Sequence, residues 1–182
     1  TVQDEPVPLP DGNLRHNFSA IVQDAEQDYY WLATWGSGIY RFSPSAVPDS
    51  MFVRQNTEGS AVGDSPILYM VRDDRHKRIW TTTLVGLQAY DSADGRLRPC
   101  RVETDRPLTH VMLNDVMLDR RGDLWVSAFD MPSFILHSDA DAPERLPLPE
   151  LRPEGHFQPA VMALHDDGDG TFWMFLERTG LF

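Results

Sequence analysis

Eight residues combine aromatic faces with polar donors in the stretches that separate apolar segments of the chain. Two are aromatic and six are basic: Trp35, Phe129, Arg15, His16, Arg106, His110, His156 and Arg178. Sugars have apolar ring faces and hydroxyl rims, so this mixture of side chains is suited to binding a saccharide. These eight residues form the predicted ligand-binding set. The alternative for Trp35 is that its ring only covers the end of a sheet.

Metal and catalytic chemistry are less well supported by the same residues. His16, His110 and His156 are far apart in sequence and have no local carboxylate pattern, so we expect no metal site. The stretch DDGDG at Asp166–Gly170 begins like a calcium loop but lacks its length and closing Glu, and it is interpreted as a hairpin turn. An enzyme would need His110 or His156 with Glu177, and nothing in their spacing favours this pair. We expect no catalytic residue and no cofactor.

Composition restricts the partners of the chain. Its 182 residues carry a net charge of −12, which repels nucleic acid and acidic membrane surfaces. The single cysteine, Cys100, cannot form an internal disulfide and is expected to be a small buried apolar residue. No apolar run approaches the ~18 to 20 residues of a spanning helix, and the first residues do not resemble a signal peptide. We therefore expect no membrane contact by this chain.

A fourfold repeat positions these residues. Trp31, Trp80, Trp125 and Trp173 are 49, 45 and 48 residues apart, and an Asp precedes each by 7, 7, 6 and 6 residues, at Asp24, Asp73, Asp119 and Asp167. Apolar residues lie six and three positions before each Asp, and a turn follows each Trp. Units of about 40 to 50 residues, each with a Trp, are typical of β-propeller blades. The four tryptophans are expected to fill the space between neighbouring blades.

The predicted fold is all-β, a partial β-propeller of about four blades with four antiparallel strands each. The predicted blades span about 14–55, 63–103, 109–148 and 157–182, and residues 1–10 are a possible outer strand of a preceding blade. The predicted third strands are 39–42, 87–90 and 134–137, and the predicted fourth strands are 51–55, 97–103 and 145–148. No segment has sustained helical periodicity.

Strand alternation predicts which loops share an end of the propeller. The turn after each Trp strand emerges at one end, with the predicted ligand-binding set. The Asp-containing turns emerge at the other end, which is expected to be a solvated acidic surface carrying Asp73, Asp74, Asp119, Asp123 and Asp166 to Asp169.

Two stretches resemble a known repeat: DRRGDLWVS at Asp119–Ser127 and YYWLATWGSGIYRF at Tyr29–Phe42. They are similar to the two-component regulator propeller repeat, although Ala128 and Leu176 replace a Thr that Thr34 and Thr83 retain. The resemblance implies a periplasmic sensor region of a hybrid two-component histidine kinase of Bacteroidetes, which binds glycan fragments and signals through dimerisation. The kinase would lie outside this chain. The alternatives are a propeller enzyme resembling streptogramin lyases and a protein-binding scaffold.

Four blades are too few to close the seven-bladed ring of that family, so the chain is expected to be part of a larger propeller region. An open arc leaves an apolar sheet face uncovered at each terminal blade. We therefore expect a homodimer or other self-association through the terminal blades.

Overall fold

The computed structural model describes residues 17–24, 27–36, 38–46, 52–54, 66–91, 96–100, 111–129, 132–138, 143–148 and 160–182. All regular secondary structure in these residues is β-strand, arranged in four antiparallel sheets. Within these ranges no helix is long and apolar enough to cross a membrane. The all-β prediction is confirmed.

Each sheet is a meander whose strands follow chain order. The first sheet contains β1 (Phe18–Gln23), β2 (Tyr30–Thr34), β3 (Ile39–Phe42) and β4 (Phe52–Arg54). The second contains β5 (Ile67–Asp73), β6 (Arg78–Thr83), β7 (Gly86–Asp91) and β8 (Arg96–Pro99). The third contains β9 (Leu113–Leu118), β10 (Leu124–Ala128), β11 (Phe134–Leu136) and β12 (Glu144–Arg145). The fourth contains β13 (Val161–Asp166), β14 (Phe172–Leu176) and β15 (Gly180–Leu181).

The first strands of successive sheets lie side by side, in the order β1, β5, β9 and β13. The Ser19 hydroxyl near the start of β1 donates to the Ile67 carbonyl at the start of β5. The Arg72 guanidinium near the end of β5 donates to the Gln23 carbonyl at the end of β1. Neighbouring first strands therefore run in the same direction. This arrangement of meanders is that of a partial β-propeller, as predicted.

One hydrogen bond recurs in all four sheets. The indole Nε1–H of the Trp in each second strand donates to the carboxylate of the Asp that ends the first strand or directly follows it. The Nε1–Oδ2 distances are 3.1 Å for Trp31 and Asp24, 3.2 Å for Trp80 and Asp73, 3.1 Å for Trp125 and Asp119, and 3.4 Å for Trp173 and Asp167. The Asp to Trp spacing of 6 or 7 residues in the sequence therefore corresponds to a side-chain hydrogen bond across a hairpin.

The indole rings also contact the next sheet. Trp31 packs on Tyr90 of the second sheet, with 4.7 Å between ring centroids. Trp125 stacks on Phe172 of the fourth sheet, with centroids 4.5 Å apart and planes 14° apart. Trp80 packs against the apolar cluster shared with the third sheet. Each of these rings fills a junction between sheets, as the sequence indicated.

Trp173 departs from the expectation that all four rings are largely buried. Its side chain is 39% exposed, whereas Trp31 is 2% exposed. The reason is local, because no described sheet packs against the side of the fourth sheet that carries Trp173. The position in the sheet is equivalent, and only the neighbour differs.

A buried carboxylate joins the third and fourth sheets. Asp115 in β9 accepts the backbone N–H of Val116 at 2.8 Å and that of Leu164 in β13 at 2.9 Å. Burial raises the pKa of this carboxyl, while the two backbone hydrogen bonds oppose the rise. By accepting the Leu164 N–H of the neighbouring sheet, Asp115 joins the two first strands and favours their register.

The structure predicts unequal roles for two equivalent Asp residues. Asp119 accepts the N–H groups of Arg121 and Asp123, each at 2.9 Å, in addition to the Trp125 indole. Replacing Asp119 by Ala should lower the free energy of unfolding by about 2 to 4 kcal/mol, since three hydrogen bonds to a charged group are lost. Urea denaturation followed by circular dichroism measures this change.

The matched control is Asp167→Ala, because Asp167 bonds to an exposed indole at the longer distance of 3.4 Å. Its loss should be less than half of that for Asp119→Ala. Equal losses for the two variants would contradict the assignment of the turn bonds as the source of stability.

Candidate functional site

The aromatic end of the molecule is the end at which the second strands finish, and it carries Trp35 and Phe129. Each lies four residues after its Trp in the second strand. The Trp35 N–H donates to the Asn17 carbonyl at 2.9 Å, and the Phe129 N–H donates to the Met112 carbonyl at 3.0 Å. These bonds extend the pairing of first and second strands by one residue. The backbone under both aromatic side chains is therefore fixed.

The side chains themselves remain exposed. Trp35 is 54% exposed, and Phe129 and Leu84, which holds the same position in the second sheet, are exposed as well. Glu177 holds this position in the fourth sheet, and its N–H donates to the Ala160 carbonyl at 2.9 Å. Three successive sheets thus present an exposed apolar side chain at this position, and at Trp35 and Phe129 the backbone beneath it is held by a hydrogen bond. The aromatic rings of Trp35 and Phe129 are suited to stacking on the apolar face of a ligand ring.

The turns at the aromatic end are closed by hydroxyl groups. The Thr34 hydroxyl donates to the Gly38 carbonyl at 2.8 Å, and the Thr83 hydroxyl donates to the Gly86 carbonyl at 2.9 Å. In the third sheet, where Ala128 replaces the Thr, the Ala128 N–H donates instead to the Ser133 hydroxyl at 3.1 Å. Departure from the repeat pattern is therefore compensated within the same turn.

The structure describes three members of the predicted ligand-binding set, namely Trp35, Phe129 and Arg178, and all three lie at the aromatic end. Arg178 is in the turn after β14 with a φ of 58°, and its guanidinium Nε lies 3.5 Å from the Glu177 carboxylate. Its side chain is largely exposed. Arg15, His16, Arg106, His110 and His156 lie outside the described residues. Their place relative to Trp35 and Phe129 stays a prediction.

The opposite end, called the Asp end, contains the turns between first and second strands. These turns are adjacent from sheet to sheet: a Cβ placed on Gly122 would lie 3.7 Å from the Arg75 guanidinium, and one on Gly168 would collide with the Arg120 guanidinium. DDGDG forms such a turn, in which the Gly168 N–H donates to Asp166 at 2.7 Å. The hairpin interpretation of this stretch agrees with its geometry.

The expectation of a solvated acidic surface at the Asp end is wrong for two of its residues. Asp73 and Asp123 are buried. Asp73 accepts the His76 N–H at 3.1 Å as well as the Trp80 indole, and Asp123 accepts the Ser138 N–H at 2.9 Å. These carboxylates replace water as partners of turn amides, which the sequence pattern alone did not reveal.

Sequence reasoning also missed a histidine held between two carboxylates. The Nδ1 of His137 lies 2.9 Å from Asp123, and its Nε2 lies 2.9 Å from Glu144 in β12. Hydrogen bonds to Asp123 and Glu144 raise the pKa of His137. When both ring nitrogens are protonated, the ring donates to both carboxylates and links the turn of the third sheet to its outer strand.

Metal-ligating and nucleophilic side chains among the described residues give little support for metal or covalent chemistry. Among the described residues, no group of three or more His, Cys, Asp or Glu side chains could hold a metal ion. Burial raises the pKa of the Cys100 thiol to about 11, so the thiolate nucleophile is disfavoured at neutral pH. Glu177 is described, but the histidines considered as its catalytic partners are not.

The described residues form a partial propeller whose aromatic end carries exposed apolar side chains and whose Asp end carries hydrogen-bonded turns. Among solved structures, the extracellular domain of BT4673 from B. thetaiotaomicron is similar in two determinations. They have TM-scores of 0.69 and 0.68 and identities of 14% and 15%, and the domain is described as part of a putative one component system in the first and of a putative hybrid two component system in the second. Each comparison covers 90% of this chain and 21% of the neighbour.

Two further structures extend the comparison. The extracellular domain of the putative hybrid two component system BT3049 from B. thetaiotaomicron has a TM-score of 0.66 and 19% identity, over 90% of this chain and 22% of its own. The computationally designed Ika4 protein has a TM-score of 0.62 and 10% identity, over 100% of this chain and 97% of its own. The chain thus spans about a fifth of the length of the natural neighbours, and the likeness is one of fold. No family model and no curated protein matches the sequence.

The raised pKa of His137 predicts a pH dependence of stability. A histidine whose pKa is higher in the folded state contributes stability that is complete below its unfolded value of 6.5 and is lost as the pH rises through the folded value. The free energy of unfolding should therefore decline as the pH rises above about 6.5. Urea titrations across this range measure the decline.

His137→Gln is the control for this prediction, because Gln keeps hydrogen-bonding capacity but does not titrate. Its decline above about pH 6.5 should be shallower than that of the original chain. An unchanged slope would show that other groups cause the pH dependence.

Proposed function

We propose that this chain is a ligand-sensing part of a two-component sensor. In this proposal its sheets are two-component regulator propeller repeats, located in the periplasm, and the histidine kinase that receives the signal lies outside the chain. The similarity of fold to the extracellular domains of BT4673 and BT3049 supports a sensor role. The repeated Asp and Trp positions support the repeat type.

The proposed ligand is a glycan-derived oligosaccharide bound at the aromatic end. One observation carries this choice: Trp35 and Phe129 are exposed at equivalent positions of the first and third sheets, on backbone fixed by hydrogen bonds. Exposed aromatic rings on a rigid support lose little conformational freedom when a sugar ring stacks on them. Arg178 supplies hydrogen-bond donors at the same end, as polar groups that orient a saccharide do.

The chemistry of the site favours binding over turnover. A propeller lyase needs a general base within hydrogen-bond reach of its substrate and an electrophilic partner. At the described part of the aromatic end, Glu177 is the carboxylate that follows a second strand, and it is paired with Arg178. A charged pair beside exposed aromatic rings fits the mixture of polar and apolar groups that binds a neutral sugar.

The test is a thermal-shift screen of the whole chain against oligosaccharides, followed by titration of any hit. A ligand that binds only the folded chain raises the melting temperature with concentration. Trp35→Ala should weaken binding about tenfold, which corresponds to about 1.4 kcal/mol. Because the Trp35 side chain is exposed, its removal should leave the melting temperature of the free chain unchanged.

Leu84→Ala is the matched control, since Leu84 has the position of Trp35 in the second sheet but no aromatic face. It should bind the sugar about as well as the original chain. Equal losses for both variants, or none for Trp35→Ala, would contradict stacking on Trp35. Release of a modified sugar during the titration would favour the enzyme alternative.

A further inference from the structure

The cluster of His137, Asp123 and Glu144 spans three neighbouring strands of the third sheet at the Asp end. His137 directly follows β11, Asp123 directly precedes β10, and Glu144 begins the outer strand β12. Both ring nitrogens of His137 are engaged, Nδ1 with Asp123 and Nε2 with Glu144, each at 2.9 Å. Only the protonated ring carries two N–H donors, so this geometry matches the charged form of the histidine.

The two carboxylates differ in what the loss of one ring proton would cost them. Asp123 is buried and also accepts the Ser138 N–H at 2.9 Å, whereas the Glu144 side chain is 63% exposed. A buried carboxylate that loses a donor costs more free energy than one that water can reach. The neutral ring therefore keeps its N–H on Asp123 and presents a nitrogen lone pair to Glu144. Because two acceptors at this distance repel each other, Glu144 has to move away.

Other charged groups around the ring act elsewhere. Arg121, in the turn before β10, favours the ionised form of the buried aspartate. Arg145 alternates with Glu144 along β12 and so lies on the other face of the sheet. The fourth sheet meets this side of the third sheet with the ring of Phe172, which carries no charge. The contact between Glu144 and the histidine thus depends on the charge of the ring itself.

The outer strand that Glu144 begins is short in the part that the structure describes. β12 is two residues long and pairs with Ile135 and Phe134 of β11. Next to it, the Leu146 N–H donates to the Ser133 carbonyl at 2.8 Å, and the Leu146 side chain is buried in the apolar cluster between the third and fourth sheets. A movement of Glu144 therefore reaches an apolar side chain of that junction.

The first two sheets carry other residue types at the position of His137. This position lies two residues after the one that pairs with the Trp, and it is Ser43 in the first sheet and Asp91 in the second. Histidine is the side chain whose charge ordinarily changes between about pH 5 and 8. Of these three sheets, the third is therefore the one with a group suited to respond to pH near neutrality.

We propose that His137 is a pH-sensitive switch that controls the docking of the outer strand of the third sheet. The protonated ring holds Glu144 beside Asp123. Loss of one proton to solvent releases Glu144, and β12 and Leu146 then open while β9 and β10 stay folded. Hydrogen bonds to the two carboxylates raise the pKa of His137, so the strand is held below about pH 6.5 and opens as the pH rises through the folded value. The switch thus loosens the junction between the third and fourth sheets.

The experiment is amide hydrogen exchange of the whole chain, resolved by residue with NMR, at a series of pH values from about 6 to about 9. Each rate is divided into the rate of an unstructured peptide at the same pH, which gives a protection factor. The protection factor of the Leu146 amide should fall about tenfold across the series, since a hydrogen bond to a charged group is lost. Val126, in the central strand β10, should remain better protected than Leu146 at every pH.

Cys100 is the internal reference, because its N–H makes the equivalent bond in the second sheet, to the Leu87 carbonyl at 2.9 Å. Its protection factor should not change across the series. Glu144→Gln is the matched variant, since an amide can accept from a protonated ring nitrogen or donate to a neutral one. In this variant the protection factor of Leu146 should be independent of pH.

Four results would overturn the proposal. The first is a protection factor of Leu146 that does not change with pH in the original chain. The second is equal protection of Leu146 and Val126, which would show that the outer strand opens only when the whole chain unfolds. The third is a fall of the same size at Cys100, and the fourth is a fall at Leu146 that persists in Glu144→Gln.

Discussion

The hydrogen bond between the turn Asp and the second-strand Trp is the interaction on which the rest of the structure depends. It uses only the polar edge of the indole, so both ring faces stay available for packing. In the first sheet, Asp24 holds the Trp31 Nε1–H at 3.1 Å while the ring packs on Tyr90 of the second sheet. One side chain thus closes a hairpin and begins the junction with the next sheet. This double role explains why the Trp recurs with a nearly fixed distance from its Asp.

The two roles are separable, and the fourth sheet shows it. Trp173 keeps its bond to Asp167 at 3.4 Å although the ring is exposed. The hairpin therefore does not need a following sheet in order to place the indole. Each hairpin positions its indole locally, and packing against the next sheet then buries a ring whose Nε1–H is already hydrogen-bonded. The net effect of burying an aromatic ring is favourable in this case, because no unsatisfied N–H is buried with it.

Local features of the fold were predictable because they depend on residues close in sequence. The Asp to Trp spacing and the following turn placed β3 at Ile39–Phe42, where the structure has it. The outer strand of the third sheet was less predictable: β12 is only Glu144–Arg145, although the Leu146 N–H still bonds to the Ser133 carbonyl at 2.8 Å. Features that depend on distant groups were missed. The hydrogen bond from the Ser138 N–H to Asp123 joins residues 15 positions apart, and the exposure of Trp173 depends on a neighbouring sheet.

The side chains at the two ends of the molecule have different roles. At the Asp end, carboxylates are occupied by turn amides and indoles, so a substitution there affects stability. At the aromatic end, hydroxyl groups such as those of Thr34 and Thr83 close the turns from inside, and the residue four after the Trp extends outward. The residue at that position is Trp35, Leu84, Phe129 or Glu177 in the four sheets. Although these residue types differ, the N–H groups of Trp35, Phe129 and Glu177 make the same backbone hydrogen bond, to the residue that precedes the first strand. The side chain at this position takes no part in the hydrogen bond between the Asp and the Trp. Its residue type can therefore differ from sheet to sheet while the fold of the sheet stays the same.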